Sequence, residues 1–415
     1  MQIKKLLTYL LIILYRLLLD VGYLLYVHPN FIYQGFVLEL NWYKYFLSFL
    51  IIILIMFLFI KESSKFSISI MNMLFLIIII PFSSLYGLEN QATTSFFLVI
   101  GGFTITLLST RQKKVSIKSL KGSKYALWIA IGGASLLTYG AIAVFNGFPS
   151  LTALNFANVY EVRESVNYGP LFFPYFVNWQ STVFNPFLIG YGLLKSNKKL
   201  ILVGIVLQFL LFLYTGHKSY FFGPIVVIGV AILVKKKNLL LGILIGLNSV
   251  IAFALIIYKV FGEHLLATLF IRRAIFISVK NFYYYFDFFS RNEKVYFSHS
   301  ILKYFIDYPY QIPTSNLIGA VYYNSPNAWV NVGYLADAYM NAGVLGVIII
   351  SILLGVVLSF FDSLTTKVNI ELIIITAFMP FFKLLSGALL TSLLTGGIII
   401  SFLVLQIFPE EKKRV

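Results

Sequence analysis

The sequence predicts an all-α polytopic membrane protein. About 12 transmembrane helices are expected, with both termini cytoplasmic and one large external loop carrying an amphipathic helix. Three observations predict it. The chain is 60% hydrophobic and only 11% charged, with a mean hydropathy of +0.89, which is far too apolar for a soluble domain. Apolar windows of about bilayer-crossing length recur along its whole extent. Charge in the connections alternates from one to the next.

The windows lie near 6–26, 43–60, 66–85, 93–110, 125–146, 174–194, 200–215, 219–234, 239–258, 333–360, 370–387 and 390–408. The first follows Lys4 and Lys5 like the opening of a signal peptide. It carries Arg16 and Asp20, has no small-residue cleavage site and runs on to Val27, so it reads as a retained span. Arg16 and Asp20 stand at i, i+4 and are expected to neutralise each other. Lys383 lies in a later window and has no sequence-local partner.

One set of connections carries 20 basic residues against five acids, and the other ten against nine. The two sides differ as about +15 against +1, and the positive-inside rule then puts the basic side in the cytoplasm. The formal charge of +17 is therefore a topology signal, and nucleic acid is not an expected partner. The absence of cysteine excludes disulfides, thiolate catalysis and Cys-ligated metals. The basic side has no Gly-rich phosphate loop or nucleotide motif. The chain reads as a single integral membrane domain over 1–415, with external loops at about 147–173 and 259–330.

The candidate chemistry falls on those loops and on one hairpin tip. In Val159-Tyr-Glu-Val-Arg163-Glu-Ser, Arg163 stands between Glu161 and Glu164. It is either a solvated loop charge or an anion clamp, since a guanidinium meets phosphate oxygens bidentately. Between Lys199 and Lys235 the chain must go out and back in legs of about 16 residues, about 24 Å each, against a core of about 30 Å. The tip Thr215-Gly216-His217-Lys218-Ser219 is thus expected below the outer surface, unless tilt and bilayer thinning absorb the mismatch.

In the large loop, 263–291 reads as one helix. Arg273, Lys280, Asp287 and Arg291 fall on one face, which serves either lipid head groups or a diphosphate. His299 is solitary, and no second His or carboxylate stands at metal-ligand spacing, so no metal site is predicted. Tyr283–Tyr285, Tyr308, Tyr310, Tyr322, Tyr323 and Trp329 serve either to stack on sugar faces or as an interfacial aromatic belt. Asp337 opens the tenth window with Tyr334 and Asn341 on its face. It is either a helix-dipole acid or a proton acceptor.

This layout resembles the Wzy family of O-antigen and capsule repeat-unit polymerases. The residues that carry the resemblance are Tyr160-Glu-Val-Arg163, Thr215-Gly216-His217-Lys218-Ser219 and Gly333-Tyr-Leu-Ala-Asp337-Ala-Tyr-Met-Asn341-Ala-Gly343-Val-Leu-Gly346. The resemblance implies a glycosyltransferase that needs no cofactor. It would polymerise undecaprenyl-diphosphate-linked oligosaccharide, as donor and acceptor, on the outer face of the bacterial cytoplasmic membrane. Membrane lipid and a chain-length-regulating co-polymerase of the Wzz type are the further partners it implies. Arg163, Lys218, Arg272, Arg273 and Arg291 are the expected diphosphate contacts. Asp337 is the first choice of acceptor base, with Glu161 and Glu164 behind it, and His217 and His299 are secondary site residues. The related O-antigen ligases carry a histidine where this chain reads Asn331-Val332-Gly333, which favours polymerase over ligase. A lipid-linked oligosaccharide flippase is the competing class. Such transporters show paired halves, whereas this chain has one large, late loop.

Overall fold

Helix boundaries follow from short polar residues at the entries and glycines at the exits. Side chains of Asn41, Ser123, Asn197 and Asn369 accept N–H bonds from the first turns of the helices that follow them. Gly216 and Gly262 end two others in the left-handed conformation. The computed structural model describes residues 2–60, 65–111, 122–156, 158–170, 172–300 and 302–409. Much of the basic charge counted above, including Lys61, Lys113, Lys114, Lys118, Lys121 and Lys412–Arg414, lies outside them.

In chain order the helices are α1 (Ile3–Gln34), α2 (Trp42–Phe59), α3 (Phe66–Leu88), α4 (Thr93–Ser109), α5 (Lys124–Asn146) and the short α6 (Val159–Ser165). Then come α7 (173–194), α8 (Lys198–Thr215), α9 (Lys218–Lys235), α10 (Leu239–Phe261), α11 (265–291) and α12 (Thr314–Tyr323). The last are α13 (Tyr334–Thr366), α14 (Ile370–Phe382) and α15 (Leu389–Ile407). There is no strand among the described residues.

This is a helical, multi-pass membrane protein. Nine helices among the described residues are long and apolar enough to cross a bilayer. Windows 93–110, 174–194 and 370–387 are helical but fall short. α4 has 17 residues, α14 has 13 and passes into a tight turn at Lys383–Leu385, and α7 is diluted by Asn178, Gln180, Ser181, Thr182 and Asn185.

α3 is hydrophobic all round and buried along nearly its whole length, as a central helix must be. Its neighbours are α1, α2, α13 and α14. Arg16 is paired inside the bundle, as expected. Fully buried, it forms an ion pair with Asp20 and donates to Ser83 and Ser48 hydroxyls. At one end of the bundle, Lys4 meets Asn238, Lys235 reaches the Leu193 carbonyl, and the Ser123 N–H donates to Ile407. The long loops, the α8–α9 tip and the α3–α4 turn meet at the other.

The 259–330 stretch is mostly folded into the bundle. α11 is the predicted helix, but residues 279–286 are buried in sequence, so it does not lie on a lipid surface. Residues Ala267–Ile277 are π-helical, with a wider turn than the α-helix assumed for the basic face. That rotates Arg273 away from the face that Lys280 and Asp287 share.

α13 is broken after its second turn. Ala342 and Gly343 leave helical geometry, Gly343 at φ 59°, ψ −142°. The carbonyls freed near the break accept N–H bonds from the large loop: Met340 from Val295 and Asn341 from Tyr296, both at 3.0 Å. A Cβ in that backbone region costs about 1–3 kcal/mol. Gly343→Ala is therefore expected to lower the thermal midpoint in detergent. Gly246→Ala, a mid-helix position with open space around its Cβ, should leave it unchanged or raise it.

Candidate functional site

Two helical hairpins and two loop elements bring basic side chains together at the loop end. Gly216 adopts φ 62°, and an added Cβ would stand 2.5 Å from the Val159 carbonyl, so the α8–α9 tip packs directly on α6. Arg163 on α6 donates from Nε to the Gly216 carbonyl at 3.1 Å, fixing the guanidinium on the tip. Its carbon lies 5.2 Å from the Tyr160 ring. Lys218, the first residue of α9, stands 5.9 Å from the same ring and 5.4 Å from Phe156. From α11, the Arg273 guanidinium approaches the Tyr160 hydroxyl. That approach, together with the Lys218 and Arg163 charges, holds the phenol below its ordinary range. Three cations thus converge on one tyrosine.

A fourth lies behind them. Lys383 donates to Asn178 Oδ1 at 3.1 Å, and the Tyr220 hydroxyl reaches the same oxygen at 3.5 Å. His217 Nε2 is 3.2 Å from the Tyr168 hydroxyl. Burial, with Arg163 and Lys383 nearby, pushes His217 down to about 4, so it is neutral at pH 7. None of Arg163, Lys218, Arg273 and Lys383 is in an ion pair among the described residues, although Arg16, Lys280 and Arg291 all are. α9 also points its positive dipole end at the group. Uncompensated cations around a helix N-terminus form an anion site.

The other expected residues divide. Arg272 is buried away from the cluster, over Phe31 and donating to Gln34 Oε1 at 2.6 Å. Arg291 pairs with Asp287 at 2.6 Å, and Lys280 is buried on Glu89 at 2.6 Å. Glu161 and Glu164 are exposed on α6, and His299 is exposed on a turn. Among the described residues no group of three His, Cys, Asp or Glu is placed to hold a metal.

Asp337 is buried in the first turn of α13, with no cation in ion-pair reach among the described residues. Asn341 donates to its backbone oxygen at 2.9 Å and accepts from the Phe297 N–H at 2.8 Å, tying the acid's helix to the large loop. Gly333, one turn earlier, packs on the Leu384 and Leu385 carbonyls, which follow Lys383.

α8 and α9 have 18 residues each, about 27 Å by helical rise. The shortfall against a core of about 30 Å is therefore half that predicted, because Lys198 and Lys235 are themselves helical. The tip's electrostatic surroundings, more than its depth, mark Lys218.

No family model, no curated protein and no solved structure matches the chain.

Dimethyl diphosphate, with one ester on each phosphorus, is a probe whose two charges stay fixed across this pH range. Lys218→Ala and Arg163→Ala should each weaken its binding about 10- to 100-fold, the scale of a charge-assisted hydrogen bond. The anion offsets the charges that depress His217, so binding draws a proton onto the ring. Affinity is expected to tighten as pH falls from 7 toward 5 and to become flat in His217→Gln; calorimetric titration at stepped pH measures both.

Proposed function

We propose that this protein is a membrane glycosyltransferase that joins oligosaccharide repeat units carried on undecaprenyl diphosphate. It would work on the outer face of the bacterial cytoplasmic membrane, with twelve crossings and both termini inside. The observation that carries this reading is the convergence of Arg163, Lys218 and Arg273 on Tyr160, with Lys383 behind and, among the described residues, no carboxylate in ion-pair reach of them. A lipid diphosphate is an anion that reaches such a site from the bilayer.

In this reading the donor glycan sits with its diphosphate among these cations. An acceptor hydroxyl attacks the anomeric carbon, forming a new C–O bond. The bond from that carbon to the diphosphate oxygen breaks, and its electron pair leaves with the diphosphate, whose growing charge the guanidinium and ammonium groups meet. The hydroxyl proton passes to the Asp337 carboxylate, which has no ion-pair partner among the described residues. Lys218 serves as a point charge, and Arg163 as a fork already oriented by Gly216.

Three outcomes are expected. A deletion strain should carry surface glycan as a single repeat unit, seen on gels of extracted polysaccharide; loss of even that unit would indicate transport instead. Purified Asp337→Asn protein should fail to polymerise lipid-linked repeat units while remaining folded, because an amide does not accept the proton; wild-type chain lengths would return Asp337 to a helix-terminal role. The chain has no cysteine, so single-cysteine labelling is clean. Cysteines replacing Asn167 and Asn292 should react with an impermeant maleimide in intact cells, and one replacing Lys236 only after lysis.

A further inference from the structure

A second site-like feature lies away from the cation cluster, where the α3–α4 turn faces α11 and α12. It is a cleft of about 280 Å³, with Asn90, Gln91 and Thr94 on one wall and Tyr284, Asp287 and Tyr322 on the other. Asp287 and Arg273 are on the same continuous helix, fourteen residues apart, about 20 Å by helical rise.

Its polar groups are held at one atom and open at another. Lys44 donates to the Asn90 and Gln91 carbonyls at 3.1 and 2.8 Å, fixing the turn. Asn90 Oδ1 accepts from Asn41 at 3.2 Å, which leaves its amide nitrogen to donate. Gln91 Nε2 donates to Glu89 at 2.8 Å, which leaves its oxygen to accept. Asp287 takes one bond on each oxygen, from Tyr322 and from Arg291, both at 2.6 Å. A carboxylate has about four acceptor positions, and this side chain is still 44% exposed.

The aromatic walls complement these groups. Tyr284 and Tyr322 stack at 4.3 Å, and both hydroxyls bond within the protein, to the Gln34 carbonyl and to Asp287. One face of each ring is taken by the other and Tyr284 is buried, so the carbon surface left to a ligand is mainly that of the half-buried Tyr322. Among the described residues Asp287 is the only charged side chain lining the cleft, and its Arg291 partner balances it, so the cleft offers no net charge to hold a phosphate or carboxylate. The volume is just under the roughly 300–1,000 Å³ of drug-sized ligand pockets.

Carbon surface flanked by fixed donors and acceptors, with one carboxylate already paired to Arg291, matches a polyhydroxylated ring, whose hydroxyls each donate and accept. We infer that this cleft binds one neutral sugar ring. The inference stands on the cleft alone and is independent of the diphosphate reading.

Saturation-transfer NMR on the purified full-length protein tests it, with the methyl pyranosides of glucose, galactose and mannose and with N-acetylglucosamine as probes. At least one is expected to bind and not to be displaced by excess dimethyl diphosphate. Ala92 and Thr94 are exposed, so a tryptophan at either fills the cleft without disturbing the core. Ala92→Trp and Thr94→Trp should each weaken binding about tenfold or more. Overturning results are no binding by any of the four sugars, binding that survives both tryptophan variants, or displacement by the diphosphate.

Discussion

Unneutralised positive charge at the end of an apolar bundle is the constraint around which this structure is arranged. A cation taken out of water is costly unless a partner or a wet surface meets it. For the two most deeply buried cations the fold supplies a carboxylate: Asp20 for Arg16, and Glu89 for Lys280 across 191 residues of chain. At the α8–α9 tip, where Arg163, Lys218 and Lys383 are half-buried and Arg273 is exposed, the partners among the described residues are neutral: the Gly216 carbonyl, the Asn178 amide oxygen and aromatic faces. The same bundle that pairs its cations in one place leaves four together in another. This contrast singles out the cluster better than any single residue does.

The large loop belongs to the same arrangement. α11 carries Arg273 toward Tyr160 and, two turns on, buries Lys280 in the bundle. Beyond it, residues 295–297 bind the carbonyls and the Asn341 side chain at the break in α13. A broken helix is tolerated in a membrane protein where something re-satisfies its backbone, and here the loop does so. Asp337 is thereby mechanically linked to the segment that also holds Arg273.

Most of the helical layout was legible in the sequence, because apolar length is a direct physical demand of the bilayer. All twelve windows are helical, and nine among the described residues meet the length and apolarity of a span. Arg16 with Asp20 was legible for the same kind of reason, since i, i+4 spacing is local. The site was legible only in part. Arg163, Lys218 and Arg273 meet as expected. Arg272 and Arg291 do not: Arg272 turns inward onto Phe31 and Gln34, and Arg291 pairs with Asp287, four residues back on its own helix. Lys383 was left unassigned because its partner Asn178 is 205 residues away. The cleft is legible in part for the same reason: Tyr284, Tyr322 and Asp287 stand among the sequence's candidates, whereas Asn90, Gln91 and Thr94 come from a distant turn and belong to no motif.

The most direct measurement is cryo-electron microscopy of the protein in lipid nanodiscs loaded with undecaprenyl diphosphate. The account predicts diphosphate density within hydrogen-bonding reach of Arg163, Lys218 and Arg273, beside Tyr160. Density on Arg272 or Arg291, with the Tyr160 cluster left bare, would contradict it.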